Sequence, residues 1–293
     1  MTASRTALVT GANQGLGRAL AKGLAARLAP ADRVLLTGRD PDRVSAAAAE
    51  VVATAGARVE GRVLDVGDTA AVDALARELG AVDVVLSNAG ARMSPDRAPA
   101  DEIDELLQVS NLGTTRVLRA FAPRLRPGGA LVVVASSFGT LGHLAAPLRA
   151  RFDEAASLDD VDAVLLSWRE AVVAGRAEAE GWPRWINVPS KVGQVAAVRA
   201  LARGRRERDL EDGTLIAAVC PGLVDTDASR PWFDDMSAAR RPEEVAAPIL
   251  DLALHAGPDL TRYGELVRDG RVLSWTAEIA PESRAGARVS RAA

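Results

Sequence analysis

The chain has 293 residues and a formal net charge of −3 at pH 7, with 48% apolar residues and only 3% aromatics. That length can bury a full core, as one large α/β domain or two small ones. The slightly acidic balance gives no support for a nucleic-acid or anionic-membrane partner.

The opening MTASRTALVTG runs straight into a strand, with no basic region ahead of a long apolar stretch, so no signal peptide is expected. TALVTG ends at a glycine, and LGRALAKGLAARLA then carries apolar residues at helical spacing. RVLLTGRD predicts a second strand, followed by a helix from Pro41 through Val52. RVEGRVLDV is a third strand, AVDALARELG a helix, and VDVVLSNAG a fourth strand. A long helix is predicted over Asp101 to Leu125, closed by RPGG, before a fifth strand in ALVVVASS. TLIAAVCPG makes a sixth strand and GELVRDG a seventh.

Near-continuous Val, Leu and Ala strands alternating with amphipathic helices indicate a parallel sheet covered on both faces. The predicted fold class is therefore doubly wound α/β, with about seven strands in a single domain over residues 1–280. Residues 142–183 read as a helical, polar insertion within that domain, and residues 281–293 as a fraying tail. The charge run RGRRERD, Arg203 to Asp209, reads as a solvated helix end. No run of about twenty uncharged apolar residues exists, so no membrane span is expected. Cys220 is the only cysteine, which excludes an intrachain disulfide and fits a reducing cytoplasm; its AAVCPG setting reads as a core thiol.

TGANQGLG, Thr10 to Gly17, lies between the first strand and the first helix. Gly11, Gly15 and Gly17 permit a tight turn and let the backbone N–H groups of Asn13, Gln14, Gly15 and Leu16 approach a pyrophosphate at the helix N-terminus. The second strand ends in TGRDPDR, where Arg39 and Arg43 are placed to meet a 2′-phosphate, favouring NADP(H) over NAD(H). Asp40 beside them could still accept from a ribose hydroxyl. Of the 36 Lys and Arg residues only Lys22 and Lys191 are lysine. An ammonium on a flexible stem is thus kept at Lys191, in WINVPSK, within a chain that otherwise favours arginine.

Together these motifs resemble the short-chain dehydrogenase/reductase family, and the similarity runs over nearly the whole chain. The LDV stretch supplies Asp65 and Val66, which the resemblance places at the adenine. SNAG, with Asn88, Ala89 and Gly90, resembles the family's NNAG. SNLGT supplies Asn111, VVVASS supplies Ser137, and CPGLVDTD, with Pro221, Gly222, Val224 and Thr226, resembles the loop at the nicotinamide. A Rossmann-type fold and an activity on a small carbonyl or alcohol substrate are implied. The segment AEGWP and the insertion before it are most similar to the monomeric carbonyl reductases, which implies a monomer; in those proteins the insertion also borders the substrate cleft. Further cleft residues are expected from ASRPWFDDM, and no metal is implied.

One position departs from the family. Its signature is Tyr-x-x-x-Lys, and four residues before Lys191 stands Asn187. Tyr263, the only tyrosine, lies in LTRYGEL, which resembles the loop before the last strand. Pro189 is a second departure, near the predicted helix start where proline is tolerated. By resemblance Ser137 orients the carbonyl, Asn111 fixes Lys191 through a water, and Lys191 holds the nicotinamide ribose. Asn187 can donate to an oxyanion but cannot practically release a proton. Three readings stay open. Another acid serves: Lys191, a water on Ser137 and Lys191, or His143. The nucleotide instead accompanies a non-redox cyclisation or proton transfer, on a polyketide-like or other carbonyl compound. Or the chain is a regulatory protein that binds nucleotide without turnover.

Overall fold

The computed structural model describes residues 4–52, 56–254 and 261–276. In chain order it runs β1 (Thr6–Val9), α1 (Gly15–Arg27), β2 (Arg33–Gly38), α2 (Pro41–Val52), β3 (Arg58–Val63), α3 (Thr69–Leu79) and β4 (Val82–Ser87). There follow α4 (Pro99–Glu105), α5 (Leu112–Phe121), β5 (Leu125–Val134), α6 (Ala146–Asp153), α7 (Leu158–Val173) and α8 (Asn187–Glu211). The last elements are β6 (Leu215–Val219), α9 (Pro242–Leu254), β7 (Leu266–Arg268) and β8 (Arg271–Leu273).

The strands form one sheet in the order β3-β2-β1-β4-β5-β6-β7-β8, parallel except for β8. Strands buried on both faces need apolar residues at successive positions, and TALV of β1 and LIAAV of β6 are buried throughout. One apolar layer under α1, α2 and α9 includes Leu20, Leu24, Val44 and Ile249; the opposite layer, under α3, α4, α5, α7 and α8, includes Val72, Leu118, Trp168 and Val195. At the exposed edge, β3 carries Arg58, Glu60 and Arg62, charges that discourage pairing with another sheet. The strand order reverses between β1 and β4, and a crevice at the carboxyl ends of the strands is the usual consequence. Among the described residues no helix is long and apolar enough to cross a membrane.

Several expectations need correction. The predicted helix Asp101–Leu125 is two α-helices joined by a π-helical turn, Leu106–Asn111. The RPGG expected to close it lies inside β5, where pairing with β4 slips between Val82 and Val84 and Gly128 takes φ 77°. An eighth strand follows the seventh because Asp269 and Gly270, both at positive φ, make a two-residue hairpin turn. The polar reading of residues 142–183 overlooks α7, whose Leu158, Val161, Leu165, Trp168 and Val172 form a buried stripe. Finally, Arg203–Asp209 is a largely solvated helix end as expected, in the last turns of α8, but Asp209 itself is fully buried on Arg205 and Tyr263. The tail at 281–293 lies outside the described residues.

Candidate active site

The first wall of the crevice is built where β1 and β4 end side by side. Thr10 is fully buried, and its hydroxyl accepts from the backbone N–H groups of Asn88 and Ala89, each at 3.0 Å. The Asn88 carboxamide donates to the carbonyls of Thr10 and Gly11, each at 3.1 Å. So close is this approach that a Cβ on Gly11, itself at φ 62°, would stand 2.7 Å from Ala89 Cα. On Gly17 it would stand 2.3 Å from the Gly11 carbonyl oxygen. Thr10 and Asn88 thus brace the loop, a role for Thr10 that only its place directly before the first glycine hints at.

Helix α1 leaves its first N–H groups uncommitted. Gln14 precedes it in an extended conformation without capping it, and no acid occupies its first turn. Those N–H groups and the positive end of the helix dipole suit an anion. The Gln14 side chain accepts from the Arg43 guanidinium. Arg39 pairs with Glu105 at 3.0 Å, both exposed. Asp40 accepts from the Arg43 N–H at 3.0 Å, so one of its carboxylate oxygens is spent on the start of α2. The residues present therefore fit a dinucleotide with a charged group beside Arg39 and Arg43.

Two loops close the crevice. Asp65 accepts from the Gly67 N–H at 2.8 Å after β3, with Val66 beside it. After β6, Pro221 and Gly222 turn the chain at φ 71°, Val224 bridges to Arg240, and the Thr226 methyl stands 3.3 Å from a Cβ placed on Gly15. Arg92, from the loop after β4, donates to the Asp227 carbonyl at 2.7 Å and straps the mouth. The resulting cleft measures about 890 Å³. Gly11, Asn13, Gln14, Gly15, Leu16, Gly17, Arg39, Arg43, Asp65, Val66, Asn88, Ala89, Gly90, Pro221, Gly222, Val224 and Thr226 all line it. So do Ser137, Asn187 and Lys191.

Helix α8 starts at Asn187, so Pro189 is its third residue, where a missing N–H removes no helical hydrogen bond. Asn187 and Lys191 lie one turn apart on one face. Ser137 opens a 3-10 turn, Ser137–Gly139, that meets α8 closely: a Cβ on Gly139 would stand 2.9 Å from the Lys191 carbonyl oxygen. Neither the Ser137 hydroxyl nor the Asn187 carboxamide has a hydrogen-bond partner among the described residues. Burial lowers the pKa of the Lys191 ammonium to about 8, against a smaller opposite pull from Cys220. Its ammonium donates at 2.7 Å to Gln194, whose amide donates to the Ser110 carbonyl at 2.9 Å and the Thr114 hydroxyl at 3.1 Å. The motifs pass over Gln194; the available signal was one polar residue three after the lysine, inside VGQVAAV.

Asn111 ends the π-helical turn and lies behind the cleft, 1% exposed. It donates to the Ser190 carbonyl at 2.8 Å, and its own Oδ1 has no protein partner. The direct protein partner of Lys191 is Gln194. His143 does not line the cleft; its Nδ1 sits 3.2 Å from the Thr140 hydroxyl and its ring meets the edge of Phe138. Tyr263 is also elsewhere, buried with its hydroxyl donating to Asp209 at 2.8 Å or Ala202 at 3.1 Å.

The far end of the cleft is aromatic. Phe138 and Trp185 meet edge to face at 4.9 Å, and Trp185 and Trp232 lie tilted at 5.8 Å. Phe233 and Met93 complete this wall. Trp232 and Phe233 come from ASRPWFDDM, as expected. No residue of 142–183 lines the cleft, contrary to expectation: α6 and α7 turn their apolar residues to the core.

Residues 5–147 match the family described as short chain dehydrogenase. Over 283 residues the chain is 34% identical to carbonyl reductase (NADPH) 3 of Mus musculus, covering 93% of this chain and 99% of that protein. Among solved structures, salutaridine reductase from Papaver somniferum superposes with a TM-score of 0.73 at 22% identity, over 89% of this chain and 99% of that one. A short chain dehydrogenase from Burkholderia cenocepacia in complex with NADP gives 0.64 at 22%, over 91% and 96%. At those identities the two structures speak for the fold.

Proposed function

The chain belongs to the short-chain dehydrogenase family, and from that premise we propose that it is an NADP(H)-dependent oxidoreductase acting on a small carbonyl or alcohol compound, with Asn187 where the family signature has tyrosine. The observation that carries this reading is one cleft lined by the glycine cradle, by Arg39 and Arg43, and by Ser137, Asn187 and Lys191. The relative named above is an NADPH carbonyl reductase, and a fold neighbour was solved with NADP.

In this reading the first turn of α1 holds the pyrophosphate and Arg39 and Arg43 hold the 2′-phosphate, for which Arg39 exchanges its exposed pairing with Glu105. NADPH, when bound, supplies a hydride. The chain's own residues handle the oxygen. Ser137 O–H and Asn187 N–H, uncommitted among the described residues, donate to a carbonyl oxygen and stabilise the negative charge that builds on it. A carboxamide gives up no proton at neutral pH. Lys191 does, because desolvation has brought its ammonium to about 8, where it is charged yet able to release a proton. The wall of Phe138, Trp185 and Trp232 favours a substrate with a flat apolar body.

The monomer belongs to the same proposal: α7 packs its apolar stripe on α4 and α8 and so covers a face that would otherwise be available to another copy. Titrating NADPH against the tryptophan fluorescence tests the cradle, since Trp185 and Trp232 line the cleft. Following NADPH loss at its near-ultraviolet band with quinones, ketones and aldehydes tests the reaction. NADPH binding below millimolar with consumption by any of these carbonyls supports the reading; absence of binding ends it.

A further inference from the structure

Building on that reading of the cleft, we infer that Gln194 is a positioning residue that fixes the Lys191 ammonium against α5 and directs its remaining donors to the bound ligand. Gln194 sits three residues after Lys191 on α8, 2% exposed, among Val192, Val195, Ala196 and Ala197. An amide in such surroundings is costly unless each polar atom is matched. Here they are matched in one orientation only. The Ser110 carbonyl can only accept, and the Thr114 hydroxyl already donates to that same carbonyl at 2.7 Å. Both therefore require the NH₂ of Gln194, at 2.9 and 3.1 Å, which turns its carbonyl oxygen to Lys191 at 2.7 Å. Rotating the amide by half a turn would set NH₂ against an ammonium and a carbonyl against a carbonyl.

The consequence falls on the lysine. An ammonium has three hydrogens; one is tied to Gln194, and Lys191 also borders the cleft. The groups that the elements packed against this part of α8 present are few in kind. From α5 and the π-helical turn come neutral ones: the Ser110 carbonyl, the Thr114 hydroxyl and the Asn111 carboxamide. From the turn after β5 come Ser137 and Gly139, also neutral. The end of β6 contributes Cys220, the one other titratable group acting on the ammonium. No carboxylate acts on it; besides the pull of Cys220, the Gln194 carbonyl, 2.7 Å from the ammonium, is the fixed dipole placed to favour the charged form against burial.

The chain makes a direct test possible because it has two lysines, and Lys22 is exposed on α1. Protein labelled at the lysine side-chain carbons and nitrogens gives two sets of NMR signals, assigned with Lys22→Arg. Gln194→Leu, which removes the acceptor, should lower the Lys191 titration midpoint by about one pH unit. Gln194→Glu should raise it by about one unit or more, since an opposite charge replaces a dipole. The NADPH dissociation constant at pH 7.5 should rise about tenfold in Gln194→Leu, a loss of one charge-assisted contact. A purely structural role would change the thermal midpoint of unfolding and leave the lysine midpoint alone. Lys191 midpoints that coincide with the parent in both folded variants overturn the inference; opposite shifts support it. A parent protein that binds no NADPH would instead sink the proposed function, with the two lysine midpoints still deciding the role of Gln194.

Discussion

At the first turns of α8 an asparagine and a lysine face an open cleft; near its last turn the chain's only tyrosine is buried against Asp209, which Arg205 grips with two donors. The eighteen residues from Lys191 to Asp209 put these two clusters about 27 Å apart along the helix. The contrast lies in what each group has left to give. The Tyr263 hydroxyl is committed to Asp209 and Ala202, and burial, with the Asp209 hydrogen bond and charge, pushes its pKa well above the ordinary phenol value. Among the described residues the Asn187 carboxamide and Ser137 hydroxyl have no partner. The phenol has therefore not been relocated to serve the cleft from another direction, and the groups lining the cleft there are an amide, a hydroxyl and a desolvated amine.

The largest expected effect comes from putting a phenol back at the open end. Asn187→Tyr should raise kcat/KM for simple ketones and quinones by a factor on the order of 10² or more, short of the full 10⁴ that a positioned general acid can contribute because Lys191 already supplies a proton in this reading. Steady-state NADPH oxidation checks it. A fall in native activity with NADPH still bound would show that the carboxamide serves a specialised reaction. Next in size is the cradle. Gly17→Ala drives a methyl into the Gly11 carbonyl and the Asn88 side chain, both within 2.5 Å of the added carbon. Displacing that loop from β4 should weaken NADPH binding by roughly 10², as the misplacement of a few donors costs several hydrogen bonds. Fluorescence titration measures it.

The two ends of α8 also differ in how far the chain's residues announce them. The cradle is legible because its chemistry is local: glycines in the turn from β1 into α1 have one reason to be there, and Gly11 and Gly17 meet it. Lys191 is legible by its rarity among arginines. Gln194 is not, since its meaning depends on Ser110 and Thr114, some eighty residues away, and on the π-helical turn that brings them to α8. That turn is itself hidden, because its residues have ordinary helical periodicity. Asp209 is misread for a related reason: a carboxylate in a run of arginines looks solvated until Tyr263 closes over it. Distance in sequence, and not weakness of the interaction, separates what can be read from what cannot.

The desolvated lysine makes the open end sensitive to pH. Lys191 holds its proton below about 8 and loses it above, so a ligand that needs the ammonium binds fully below that value and less tightly as pH rises through it. NADPH affinity measured from pH 6 to 10 should be flat to about 8 and then fall by up to about tenfold per unit until the nucleotide's own preference for the ammonium is exhausted. Lys191→Met should bind about tenfold more weakly at pH 7 and lack that break. A break that persists in Lys191→Met would assign it to another group.

The closed end should respond in stability alone. Tyr263→Phe removes a hydroxyl that donates to a fully buried carboxylate, and hydrogen bonds to charged groups contribute about 1.5–3 kcal/mol. The loss should stay within that range because Asp209 keeps both donors of Arg205, at 2.8 and 3.1 Å, and is not left an unpaired buried charge. Urea unfolding should show the reduced stability, while the NADPH titration and the rate with any carbonyl substrate remain those of the parent protein. Altered turnover in Tyr263→Phe at undiminished stability would mean that the buried phenol reaches the cleft chemistry through α8, and the division of the helix into a working end and a holding end would be wrong.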